Sequence, residues 1–320
     1  MKKILVVQPL HSRAIDLLEN RSDIEYEVLT DFSEKNLLSK IYSADAITIR
    51  DAPISETVLA YGKQLKVISR HGVGFDNIPI AYCTRRGIPV AVVGSVNTVS
   101  VAEHTIFLLL AAARVVIDLD EAVRSGNFTR RGEISTVELC GKNLLLIGFG
   151  RIGQEVAKRA TAFGMRILVH DPYLKSFSDP NIKLIKSLDD GLQSAELVSL
   201  HVPLTDETKL MLGERELGLL PRGAILVNTS RGGLLDEAAL ARAVASGALH
   251  SAGLDTFSIE PLPSSSPLIA EKRIVLSPHS ASLTEDTFIA MGLKTVENVL
   301  DGLDGKLKAH LVVNSQVLKK

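Results

Sequence analysis

Short aliphatic runs, each followed by an amphipathic stretch, recur along nearly the whole chain. From residue 1 to about 97, the runs Ile4–Gln8, Glu25–Leu29, Ala46–Arg50, Lys66–Ser69 and Val90–Val93 predict strands. Between them, Ser12–Asn20, Ser33–Ser43 and Glu56–Leu59 carry helical spacing. Strands that are apolar on both faces and alternate with helices predict a parallel sheet covered on each side. One long helix is predicted over Thr98–Arg124, capped by Asn97 or Thr98, and then a polar connection, Ser125–Gly132. A second alternating series follows, with strands at Leu144–Gly148, Arg166–His170, Leu197–His201, Ala224–Asn228, His250–Leu254 and Ile274–Leu276. A last helix is expected over Thr284–Leu300. Lys306–Lys320 reads as a short polar tail with one apolar patch, Leu311-Val312-Val313.

The first strand of the second series runs into Gly148-Phe149-Gly150-Arg151-Ile152-Gly153, and a helical pattern follows at once. A Gly-x-Gly-x-x-Gly turn in that context has a physical use. Gly148 permits the tight turn, Gly150 lets the backbone approach a pyrophosphate, and Gly153 lets the helix pack close to the strand with its N-terminus toward the phosphates. The next strand ends at Asp171, eighteen residues past the last glycine. A carboxylate there accepts hydrogen bonds from an adenosine ribose and repels a 2′-phosphate, so NAD is the expected cofactor.

Bulk composition narrows the partners. The 320 residues are too many for one compact core and predict two domains. A net charge of −1 gives no global basic field for nucleic acid or a membrane surface. The most apolar helical stretch, Val101–Ile117, carries Glu103, His104 and Arg114, so a buried or interface helix is expected rather than a membrane span. Cys83 and Cys140 have neither metal-type spacing nor a framework of pairs, and reduced thiols in a cytoplasmic protein are expected. Met1–Val7 resembles the start of a signal peptide, but Gln8-Pro9 ends its apolar run too early, so a first buried strand is expected instead.

Ligands of open α/β sheets bind beyond the carboxyl ends of the strands. There the sequence places Arg50 and Asp51; Arg70, His71, Gly72 and Val73; His201, Val202 and Pro203; Thr229, Ser230 and Arg231; Asp255 and Glu260; and Ser277 through Ser282. Three of these make a set for hydride transfer to a 2-keto acid. Arg231 would hold the carboxylate and polarise the carbonyl, with a pairing to Asp236 as its structural alternative. His279 would donate and accept the proton. Glu260 would bind the other ring nitrogen and raise the histidine pKa. Arg50 is open to two readings, contact with substrate or pairing with Asp51 or Glu56.

These strings together resemble the D-isomer-specific 2-hydroxyacid dehydrogenases over nearly the whole chain. Ser69–Asn77 is similar to the family's substrate-carboxylate loop, and Asn97 with Val101–His104 to its inter-domain helix start. Gly148–Gly153 with Asp171 is similar to its cofactor fingerprint, and Leu200–Thr205 to its adenine-side loop. Asn228–Asp236, Asp255–Pro261 and Ser277–Ala281 resemble its arginine, glutamate and histidine motifs. The resemblance implies a Rossmann-type cofactor domain (98–287) inserted into a flavodoxin-like substrate domain (1–97, returning at 288–320), both doubly wound. It implies catalytic Arg231, Glu260 and His279. It further implies cofactor contacts from Gly148, Gly150, Arg151, Ile152, Gly153, Asp171, His201–Pro203, Thr229–Arg231, Asp255 and His279–Ser282, and a homodimer. Gly72 and Val73 would offer backbone amides to the substrate carboxylate. Arg50, Arg70 and one of Arg130 or Arg131 match the phosphate-binding arginines of phosphoglycerate dehydrogenases, which implies a substrate with a second anionic group. His71 departs from the small residue many members carry. Hydroxypyruvate, glyoxylate and sulfolactate-type acids are the alternative substrates, and a non-enzymatic NAD(H)-sensing protein is the alternative of another class.

Overall fold

A computed structural model describes residues 1–319. Two compact units are present, Met1–Asn97 with the segment from Leu283 onward, and Thr98–Ser282. The junction falls at Ser282/Leu283, ahead of the 287/288 boundary expected from sequence. Thr284 caps the helix Glu285–Leu303, accepting from the Thr287 amide. Val296 and Val299 of that helix pack with Ile4, Val6, Ala46 and Val67 of the first sheet, so the helix belongs to the first unit from its cap onward.

The first unit is a parallel sheet of β1 (Lys2–Val7), β2 (Ile24–Leu29), β3 (Ala46–Ile49), β4 (Val67–Arg70) and β5 (Val90–Ala91), in the order β2-β1-β3-β4-β5. This is the flavodoxin-like order, with its switch point between β1 and β3. Gly302 lets the last helix lie against the sheet, since a Cβ there would come 2.7 Å from a Val67 methyl. The second unit holds β6 (Asn143–Ile147), β7 (Arg166–His170), β8 (Ile182–Leu184), β9 (Leu197–Leu200), β10 (Ala224–Asn228), β11 (Leu249–Leu254) and β12 (Ile274–Leu276). Their order, β12-β11-β10-β9-β6-β7-β8, is the doubly wound dinucleotide-fold order extended by one strand. Apolar clusters fill both faces of each sheet. Among the described residues no helix is long and apolar enough to cross a membrane.

Three expectations are corrected. The predicted helix Thr98–Arg124 is two helices, Thr98–Ala113 and Val116–Arg124, broken at Val115, which adopts φ 49°. The Ala112 carbonyl accepts from Ser251 Oγ and the Ala113 carbonyl from the Val137 amide, so the first helix ends where donors from the rest of the unit take its last carbonyls. The β-branched run Val115-Val116-Ile117 also disfavours continuation. Second, β8 was not anticipated, because three residues at a sheet edge carry too little periodicity to read. Third, the polar tail is structured. Val312 forms an antiparallel bridge with Ala91, and Leu311 and Val312 are buried. Buried Asn314 accepts from the Val90 amide at 2.9 Å and donates to the Ile88 carbonyl at 2.9 Å and to Thr84 Oγ1 at 3.2 Å. The tail thereby closes the β5 edge.

Asn314→Ala would leave the Val90 amide and the Ile88 carbonyl buried without partners, at a cost of about 1–3 kcal/mol per group. We expect a lower urea midpoint and faster hydrogen exchange at Val90. Unchanged exchange there would show that this side chain does not hold the tail.

Candidate functional site

All seven strands of the second unit are parallel, so their carboxyl ends share one edge. Gly148, Asp171, His201, Thr229, Asp255 and Ser277 are the residues that directly follow β6, β7, β9, β10, β11 and β12. Sheet topology alone brings these distant stretches together.

Three glycines in the β6 turn meet three different surroundings. Gly148 has φ 93°, and a Cβ on it would lie 2.7 Å from the His201 carbonyl oxygen. A Cβ on Gly153 would lie 2.6 Å from the Gly148 carbonyl oxygen, so its absence lets the helix Arg151–Ala162 pack against the turn. Beside Gly150 nothing lies within 4 Å. Gly150 is the N-cap of that helix and offers no side chain to its amides. An open, uncapped helix start next to a residue without Cβ fits a phosphate group. Asp171 accepts from the Phe149 amide at 2.9 Å and from the Tyr173 amide at 3.0 Å, which ties the second strand end to the turn. Among the described residues no cation is paired with Asp171. These residues fit a dinucleotide.

Farther along the same edge, after β11 and β12, Glu260 and His279 meet. His279 Nδ1 lies 2.8 Å from Glu260 Oε2, and Glu260 Oε1 accepts from the Phe257 amide at 2.9 Å. The Glu260 hydrogen bond, opposed by burial and by Arg231, raises the His279 pKa above its usual value. Burial alone would raise the Glu260 pKa, but the His279 and Phe257 hydrogen bonds outweigh it and hold the carboxyl below its usual range. Nδ1 is committed to the carboxylate, so Nε2 is the nitrogen left for another partner.

The Arg231 loop is fixed from several sides. Asn228 Nδ2 donates to the Arg231 carbonyl at 2.8 Å, and Ser230 Oγ donates to the Val202 carbonyl at 2.6 Å. Thr229 Oγ1 and Thr105 Oγ1 are 2.9 Å apart. Gly232 is required by contact, since its Cβ would lie 1.9 Å from the Phe257 carbonyl carbon. The Arg231 loop and the loop carrying Glu260 therefore touch backbone to backbone. Asp236 caps the helix Glu237–Ala245 through the Ala239 amide, a task that replaces the Arg231 pairing considered from sequence. His201 Nε2 lies 3.0 Å from Ser199 Oγ, and burial pushes its pKa down to about 4, so it is neutral at pH 7. Arg151, Pro203 and Gly150 are exposed, Ile152, Val202, Ser280 and Ser282 are intermediate, and Ala281 is buried.

The Asp255 side chain is 0 % exposed, and its oxygens face Ser277 Oγ and the amides of Ser280 and Ala281, so it supports the His279 loop from behind. His104, part of the string similar to the family's inter-domain helix start, lies in this network. A lone histidine in an apolar helix gives no sequence signal for it.

The candidates of the first unit divide. Arg70 Nη2 pairs with Asp51 at 3.0 Å, and Nη1 donates to the His71 carbonyl. Gly72, at φ 148°, makes room for that fold, because a Cβ there would come 1.7 Å from Arg70 Nη1. The Gly72 amide donates to the Arg70 carbonyl at 3.0 Å, so of the two loop amides it is already engaged. Arg50 pairs with neither Asp51 nor Glu56. Its Nη1 donates to the Pro9 carbonyl at 3.1 Å, and its guanidinium lies 5.2 Å from the Phe288 ring centroid. Arg50 Nε and His71 Nε2 are buried without a hydrogen-bond partner. Burial, then Arg50 and Arg70, push the His71 pKa down to about 4. Arg130 pairs with Asp118 and Glu133 and is thereby engaged.

Residues 106–281 match the family model described as D-isomer specific 2-hydroxyacid dehydrogenase, NAD binding domain. The chain is 38 % identical over 315 residues to a D-3-phosphoglycerate dehydrogenase of Methanocaldococcus jannaschii, covering 98 % of this chain and 59 % of that relative. It is 38 % identical over 326 residues to a glyoxylate reductase of Aeropyrum pernix, covering 99 % and 97 %. A D-lactate dehydrogenase of Aquifex aeolicus, solved with NAD and lactic acid, superposes with a TM-score of 0.86 at 28 % identity, covering 97 % of this chain and 99 % of that one. The chain belongs to the D-isomer-specific 2-hydroxyacid dehydrogenase family. It spans about three fifths of the length of the phosphoglycerate dehydrogenase relative.

Proposed function

We propose that the protein is an oxidoreductase moving a hydride between NAD(H) and a small 2-hydroxy or 2-keto acid that carries a second anionic group, of the 3-phosphoglycerate kind. The 2.8 Å contact between His279 Nδ1 and Glu260 Oε2 carries the reading, because it leaves Nε2 as the proton-bearing nitrogen of an imidazole with a raised pKa. Arg231 binds the substrate carboxylate and polarises the adjacent carbonyl, and the loop at Gly72-Val73 contributes a backbone amide. A bound nicotinamide would supply the hydride to C2. His279 Nε2 would then give its proton to the carbonyl oxygen, leaving the 2-hydroxy acid and a neutral imidazole. In oxidation the neutral imidazole takes the hydroxyl proton instead.

The second anion is supported by Arg50 Nε and His71 Nε2, two buried nitrogens without partners, the first of them part of a guanidinium that has no carboxylate among the described residues. A half-buried cation of this kind favours an incoming anion. The pairing of Arg70 with Asp51 weakens its own claim to such a contact. The end-to-end match to a glyoxylate reductase favours a second reading, a glyoxylate or hydroxypyruvate reductase. Exposed Phe107, Ile117, Val123 and Phe128 support an apolar seam for a homodimer.

Asp171 should favour NADH over NADPH in catalytic efficiency, because its carboxylate repels a 2′-phosphate. Equal or better use of NADPH would remove that role.

His279→Ala should lower the chemical rate by about 10²–10⁴-fold, the usual value of a positioned proton donor. Keto-acid reduction needs the imidazolium, so it proceeds below the His279 pKa and fails above it. Glu260 raises that pKa, so Glu260→Gln should move the failure to lower pH. An unchanged profile would mean that the pair does not act together.

Arg50→Ala should cost about 10–150-fold in kcat/KM for a phosphorylated or sulfonated acid, corresponding to roughly 1.5–3 kcal/mol for an arginine–anion contact, and leave glyoxylate nearly unaffected. A parent enzyme that prefers glyoxylate, or equal losses on both, would favour the second reading. No turnover across a panel of 2-keto acids would favour the NAD(H)-sensing alternative.

A further inference from the structure

A hydrogen-bonded chain runs behind the His279 loop. His104, on the helix Thr98–Ala113, places Nε2 2.8 Å from Ser277 Oγ and 3.5 Å from Asp255 Oδ1. Ser277 Oγ donates to Asp255 Oδ1 at 2.6 Å. A serine hydroxyl has one proton. Since it is given to the carboxylate, which at neutral pH only accepts, the short contact from His104 must be an Nε2–H donation into the Ser277 oxygen. The direction of the chain is thereby fixed, from His104 to Ser277 to Asp255.

Asp255 then grips the backbone on both sides of His279. Oδ1 also accepts from the Ser280 amide at 2.8 Å, Oδ2 from the Ala281 amide at 2.9 Å, and the Asp255 carbonyl from the His279 amide at 2.8 Å. His279 itself has φ 51°, a left-handed conformation that costs a residue with a Cβ about 1–2 kcal/mol and persists only where the surroundings enforce it. The three amides held by Asp255 are that enforcement.

We propose that His104 is a positioning residue for His279, acting through Ser277 and the buried Asp255 carboxylate, a role that rests on the reading of His279 as proton donor. It strengthens the chain by charge assistance and cooperativity and occupies the lone pair that Ser277 would otherwise bury unanswered. The charged groups that act on the His279 ring are Glu260, Arg231 and Asp255, and of these Glu260 hydrogen-bonds to it.

The test compares the full-length parent with His104→Phe and His104→Gln, following the His279 imidazole titration by NMR and steady-state reduction of a 2-keto acid. With Phe, the Glu260 contact should loosen, so the His279 midpoint should fall, and kcat should drop about tenfold while KM changes little. With Gln, whose amide can still donate to Ser277, both should stay within about twofold of the parent. A folded Phe variant with the parent's His279 titration overturns the proposal, as does a Gln variant as impaired as the Phe one. If the Phe variant does not fold, Ser277→Ala cuts the same chain at its middle. The same downward shift in that variant supports the proposal, and no shift overturns it. If the parent turns over no 2-keto acid, the proposed function fails, while the titration still decides whether His104 positions His279.

Discussion

A carboxylate with no exposed surface stays ionised only when donors replace the water it has lost, and Asp255 is the residue on which the second unit's site rests. Burial pushes its pKa up, but His104, Ser277 and the amides of Ala281 and Ser280 outweigh this and hold it below the usual range. The geometry comes from sheet register. Leu254 of β11 is paired with Leu276 of β12, so the next residues, Asp255 and Ser277, stand side by side at the strand ends. The amide after Ser277 and Pro278 then returns to the Asp255 carbonyl, and the chain turns left-handed at His279. From that turn the ring reaches Glu260, whose other oxygen is fixed by the Phe257 amide. Phe257 is where it is because Gly232 lets the Arg231 loop lie against it. One buried charge and one missing Cβ thus connect the three residues proposed for catalysis.

The first unit solves a different electrostatic problem. Arg70 is neutralised by Asp51 and by the His71 carbonyl, and the fold that achieves this is available only because Gly72 has no side chain. Arg50 instead rests on the face of Phe288 and on the Pro9 carbonyl, partners that bind a cation without cancelling it. His71, packed edge-on to the same ring, stays neutral at pH 7 because burial and both arginines oppose its protonation. The local charge is therefore held on Arg50, while His71 adds a neutral ring whose Nε2 is unanswered within the protein. The two arginines that looked alike in the sequence are physically unlike.

The elements with strong periodicity are legible in the sequence. Both parallel sheets, the β6 turn and the motif residues at the strand ends follow from apolar runs and the rule that ligands gather at carboxyl edges. What was not legible depended on partners distant in sequence. Val115 breaks a helix because Ser251 and the Val137 amide take its final carbonyls, and neither lies nearby in the chain. The tail looks polar because its longest apolar run is Leu311-Val312-Val313, yet Asn314 binds the Val90 amide, more than two hundred residues away. The resemblance implies that Asp255 meets the cofactor, and nothing in the sequence shows that its oxygens also take Ser277 and the amides of Ser280 and Ala281.

The glycines show how such cases separate once coordinates are in hand. Gly148, Gly153 and Gly232 each have backbone where a Cβ would stand, at 2.7, 2.6 and 1.9 Å, so each is explained by packing within the protein. Gly150 has no such neighbour, and its φ of −71° is open to any residue. Neither sterics nor backbone conformation within the chain requires glycine there. The proposed dinucleotide would approach the backbone at that residue. The place it would occupy is the uncapped start of the helix Arg151–Ala162, where unsatisfied amides and the helix dipole favour an anion.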